Sequence, residues 1–189
     1  QQLTTPASYD DGNWHNVVMT RSGTTDVFTM YIDGTEVIAP TTMTNPHTSH
    51  NFNLHIGRYS EVASLFWDGT IDQVRIYNSA LDATAVENLY NEKQAYITKN
   101  ASDPFGDNNE VAFYELENNA NDSTGSNTGT ASNVTFTSGS GLFGTYAASF
   151  DGGSYTHIEI PDSDVFSPVT NDFSASMWVK PTSGHVMSK

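Results

Sequence analysis

Apolar residues recur at every second position through much of the chain. The pattern runs over 14–20, 27–33, 52–57, 71–77, 111–116, 146–150, 157–160 and 173–179. Side chains alternate across a strand, so each run predicts a half-buried strand with one apolar face. Asp-Gly pairs stand between the runs: Asp11-Gly12, Asp33-Gly34, Asp68-Gly69 and Asp151-Gly152. Both residue types tolerate the positive φ of tight hairpins. Short alternating strands with such turns predict an all-β, antiparallel sandwich. One segment breaks the period. In 81–90, Asp82 can cap a helix whose Val86, Leu89 and Tyr90 share a face. Only about three turns fit, so this helix is expected to cover the end of a sheet. Residues 93–109 lose the alternation, contain Pro104 and Gly106, and read as a linker. The polar tract 118–133 reads as a long loop.

Composition narrows the partners. Hydrophobic residues make up 37% of the 189, enough for a packed core. Charged residues are only 15%, and they are one-sided, 22 acids against 7 bases for a net charge of -15. Seven scattered cations form no basic stripe, which argues against nucleic acid and against anionic membrane surfaces. The acidic balance leaves uncharged partners and divalent cations open, beside a plain role in solubility. Without cysteine, disulfides, thiolate metal sites and thiol nucleophiles are excluded. No apolar run approaches the ~20 residues of a spanning helix, so membrane insertion is not expected. The chain does not begin with Met and reads as a mature, processed or partial chain.

Two stretches carry a resemblance. Asp11-Gly12-Asn13-Trp14-His15, Tyr31-Ile32-Asp33-Gly34 and 69–81 with the helix after them resemble the C-terminal half of the laminin-G-like family of concanavalin A-type jelly rolls. Tyr114-Glu115-Leu116, Asn119 to Gly125, Ala148 to Gly152, His157 to Ile160 and Phe173 to Pro181 are similar to the family's N-terminal half. The halves stand in swapped order: 1–92 as the C-terminal half, 93–109 as linker, 110–189 as the N-terminal half. Either the chain is cut from a tandem array, or the two halves close on each other. An apolar sheet face left in water costs tens of kcal/mol on area bookkeeping, so each half needs a complement, within the chain or in a neighbour.

No catalytic group assembles in the sequence. The Glu-x-Asp-x-x-Glu strand motif of the retaining glucanases this chain resembles is absent. Glu115 and Glu117 fall on one face of an extended strand but have no third partner. No nucleophile elbow, phosphate loop or dinucleotide fingerprint occurs. His47, His50 and His55 cluster in sequence, but their spacing around Pro46 suits a loop better than a transition-metal site. Calcium fits better, because the 121–127 loop is rich in hard oxygens. The resemblance implies that this loop approaches the strand of Asp72, so Asp72, Asp122 and Asn127 could share a calcium ion. The alternative is a turn that satisfies its own backbone. Tyr59, Trp67 and Tyr155 are candidates for stacking on sugar, with Phe66 or Trp67 alternatively plugging the core. Three glycosylation sequons, at Asn100, Asn121 and Asn133, are the kind of match an Asn- and Thr-rich chain produces by chance.

The resemblance implies a non-catalytic module of an extracellular, cell or virion surface. Its expected partner is a glycan or a surface glycoprotein. The rival reading is a repeat subunit of a filament, surface layer or virion appendage whose strands complete neighbouring copies of itself.

Overall fold

The computed structural model describes residues 5, 7–42, 53–59, 66–92, 109–166 and 171–182. Their elements are β1 (His15–Arg21), β2 (Val27–Ile32), β3 (Thr35–Thr42), β4 (Leu54–Ile56), β5 (Asp68–Tyr77), α1 (Ala83–Asn91), β6 (Glu110–Tyr114), β7 (Thr130–Ser132), β8 (Thr135–Ser138), β9 (Tyr146–Asp151), β10 (His157–Ile160) and β11 (Phe173–Pro181). A 3-10 turn at Asp164–Phe166 precedes β11. Each run of alternation contains a strand among its described residues. β3, β7 and β8 add to them, and β7 falls within the tract that reads as loop.

All strand pairs are antiparallel. The large sheet has the order β3-β2-β1-β11-β5-β9-β8, with β6 also on β5, and the small sheet the order β4-β10-β7. Asp33 and Gly34 take φ of 52° and 74° between β2 and β3, the left-handed pair a two-residue hairpin needs. β5 is the hub. Its first part pairs with β9 and its last part with β6. At the changeover Gln73 takes a φ of 53°, and the β5–β11 register shifts alongside it. This is a bulge, an extra residue that bends the strand and re-aims the side chains next to it.

The main core lies between the sheets. Val17, Ile32, Ile76 and Val179 of the large sheet pack with Ile56, Ile158 and Ile160 of the small one. The neighbours of the large-sheet residues point the other way. Val18, Tyr31 and Tyr77 form a second cluster with Leu81, Val86 and Leu89. The helix therefore covers the outer face of the large sheet, not its end. It does so because β1, β2 and β5 carry apolar residues on both faces, so one layer cannot bury them. Asp82 caps α1 by accepting from the Ala85 N–H at 2.8 Å, and Tyr90 stacks on Trp178 at 5.9 Å between ring centroids.

Strands from the two resembling stretches share the large sheet. β11 sits between β1 and β5, and β6 and β9 lie on β5. Of the segment 93–109, only Asn109 lies among the described residues, and its carbonyl accepts from the Asn78 N–H at 2.9 Å.

Candidate functional site

The outer face of the small sheet collects the polar side chains. In β10, Ile158 and Ile160 point into the core, so His157 and Glu159 point out. Glu159 is directly opposite His55 of β4, and His157 is opposite Ser132 of β7. His55 Nε2 lies 3.3 Å from Glu159 Oε2, and the His55 and His157 rings are 5.4 Å apart. His157 Nδ1 donates to the Tyr155 carbonyl at 3.2 Å, and that carbonyl also accepts from the Asn133 amide at 3.4 Å. Burial, the charge of Arg58 and the neighbouring His157 hold the His55 pKa below its ordinary value, against the pull of Glu159. This group is not legible in chain order, since His55 stands about a hundred residues before His157 and Glu159. Only strand register brings them together.

At the end of this face stands Tyr155, 74% exposed. Its turn is braced. The Asp151 carboxylate accepts from the Gly153 N–H at 2.9 Å and from the Thr156 hydroxyl, and the Thr156 N–H reaches back to the Gly153 carbonyl. Tyr59, 40% exposed, follows β4. Trp67 is placed differently: its ring packs against the main core, half-buried. Of the histidines at 47, 50 and 55, only His55 lies among the described residues.

The acids are engaged within the fold. Asp122 accepts from the N–H groups of Phe113, Thr124 and Asn127, the Thr124 hydroxyl and the Asn127 side-chain amide. Asp122 and Asn127 thus form one turn that closes on itself. Asp72, fully buried beside the Gln73 bulge, accepts from the Leu142 and Phe143 N–H groups at 2.8 and 3.1 Å. Burial pushes its pKa up to about 7 against the pull of those amides. Glu117 holds the same loop through the N–H groups of Thr145 and Tyr146. Leu116 takes a φ of 59°, just past the end of β6, so Glu115 and Glu117 do not share a strand face as expected. Arg75 is paired with Glu92, lies 3.7 Å from Glu110 and sits over the Phe113 ring at 4.7 Å. A shallow recess beside it is lined by Gln73, Glu92 and Trp178 among others.

His15 binds two carboxylates, Asp33 through Nδ1 at 2.7 Å and Asp11 through Nε2 at 3.0 Å. Asp33 also accepts the Asn16 N–H, so the group ties β1 to the β2–β3 hairpin.

Two facing antiparallel sheets, a helix on the back of the larger and a polar outer face on the smaller define a β-sandwich of the concanavalin A-like type. Residues 1–87 match the family model of the Concanavalin A-like lectin/glucanases superfamily, to which that part of the chain is similar. No curated protein and no solved structure matches the chain. The superfamily is one of carbohydrate-binding and adhesion-type modules, usually extracellular. Among the described residues, no helix is long and apolar enough to cross a membrane.

Proposed function

We propose that this chain is a non-catalytic, extracellular recognition module that binds carbohydrate. The observation that carries the reading is Tyr155, a ring 74% exposed on a braced turn at the end of the polar outer face. Sugars present apolar C–H faces to such rings, while the hydroxyls need polar neighbours of the kind β7 and β10 supply. The net charge of -15 favours neutral or amino sugars over sialylated and sulfated ones. The absence of hydrolysis in this reading is supported by the acids themselves. Asp72, Asp122 and Glu117 each hold backbone N–H groups, and Glu92 is paired with Arg75. None of them is half of a free pair at glycosidase spacing.

The stretches 1–92 and 110–189 act, in the same proposal, as two halves of one sandwich joined in swapped order. Support comes from β11, seated between β1 and β5. A glycan array followed by calorimetry tests the function. Tyr155→Ala is expected to weaken the best neutral-glycan hit about tenfold, ~1.4 kcal/mol. An array without a hit, or turnover of a β-glucan, would end the proposal.

A further inference from the structure

We propose that His55, His157 and Glu159 form a binding site for a divalent transition ion of the Zn²⁺ class on the outer face of the small sheet. Among the described residues, these three make up a group whose ligand atoms all lie within 4.8 Å of one another. Two imidazole nitrogens and a carboxylate oxygen are the donor set of open zinc sites, which leave a fourth position for an outside ligand. The same donors suit Co²⁺, Ni²⁺ and Cu²⁺, and they are wrong for calcium, which takes oxygen.

The sheet preorganises the group. Glu159 and His55 are a cross-strand pair, and His157 is two residues from Glu159 on the same face. Ligands at zinc distances of ~2.0–2.1 Å around a tetrahedral ion are about 3.3 Å apart. His55 Nε2 and Glu159 Oε2 already have that separation, 3.3 Å. The His157 ligand atom lies within 4.8 Å of the other two, so only that ring has to close in.

The proton of His157 is also in place. A carbonyl can only accept, so the bond from His157 to Tyr155 puts the proton on Nδ1 and leaves Nε2 as the lone-pair nitrogen of the neutral ring. An imidazole whose far nitrogen donates to a carbonyl is the usual outer support of a metal ligand. The second bond on that carbonyl, from Asn133, fixes its direction. His55 is a different case: its side chain is 7% exposed and its Nδ1 is buried without a partner. Nε2, on the Glu159 side, is therefore its one open coordination position. Arg58 is the opposing charge and lowers affinity for any cation here. Glu159, 45% exposed, directs the site outward, so the fourth position faces solvent or a bound partner.

The test uses the untagged chain, titrated with Zn²⁺ by calorimetry and with Co²⁺ by visible absorption. One equivalent of Zn²⁺ is expected to bind, with a Co²⁺ d–d band that Zn²⁺ bleaches. His157→Ala and Glu159→Gln should each weaken binding at least tenfold while leaving the metal-free melting temperature within a few degrees. His47→Ala/His50→Ala should bind as the parent does. Zn²⁺ affinity unchanged in His157→Ala, affinity lost only in the 47/50 pair, or no stoichiometric binding at all would each overturn the assignment. Glycan binding is read separately on the metal-free protein, so failure of one proposal does not decide the other.

Discussion

Asp72 and His15 both respond to pH, through different physics. Asp72 has its pKa raised from 3.8 to about 7, chiefly by burial. Between those values the folded state keeps a proton that the unfolded state has released. Stability contributed here is therefore lost as pH rises from about 4 to 7, by ~4 kcal/mol when complete. Asp72→Asn keeps an oxygen for the Leu142 and Phe143 N–H groups and stays neutral. Urea midpoints should show the variant gaining on the parent from pH 4 to 8, and a constant difference would mean the carboxylate is not lifted. His15 also has a raised pKa, although burial alone pulls it down, because the hydrogen bonds and charges of Asp33 and Asp11 outweigh burial. Its pairing is fully present below the unfolded value of 6.5 and fades as pH passes the higher folded value. An NMR titration should find His15 protonating above 6.5. A value at or below it would mean that the two carboxylates do not compensate for burial.

At the level of elements, helix α1 shows what the sequence could and could not disclose. Its cap and apolar face were legible: Asp82 accepts the Ala85 N–H, and Val86 and Leu89 are buried. Asp82→Ala should cost about 1 kcal/mol in chemical denaturation. No change in the midpoint would mean that the cap is idle. The helix's place on the sheet was not legible, because alternation in β1 hides a second apolar set: Val17 and Val18 are both buried, on opposite faces. Strands with one polar face were read directly. β3 was missed because Thr35–Thr42 contains Pro40 and stays half-exposed at a sheet edge. β7 and β8 were missed because Thr and Ser pattern weakly. For the site, Tyr155 could be read from its Gly-rich turn. His55 and Glu159 could not be linked, since neither position hints at the other before register is known. Trp67 went the other way, toward the core, because an indole gains more from burial than from standing at a rim.

On the scale of the molecule, the question is whether one chain completes its own core. β1 and β5 come from the stretch before residue 93, and the strand between them, β11, comes from the stretch after 109. Detaching β11 would leave one edge of each strand unpaired and bare its own Val179 and Trp178, each nearly inaccessible in the folded chain. Neither part can bury its sheet face alone, and a flat unpaired edge is a template for association. Fragments 1–100 and 101–189 are therefore expected to be unfolded or aggregated separately. Mixed from denaturant, they should recover a cooperative transition and the intact chain's near-ultraviolet dichroism as a 1:1 complex. Split proteins of this kind pay an association entropy that the covalent chain does not, so the complex should melt lower and depend on concentration. The intact chain should by contrast be a monomer whose melting is independent of concentration. Cooperative folding of either fragment alone would show two separate cores. An intact chain that runs as a chain-exchanging oligomer would move the complement to a neighbour, favouring the filament or surface-layer reading over a self-contained lectin-type module.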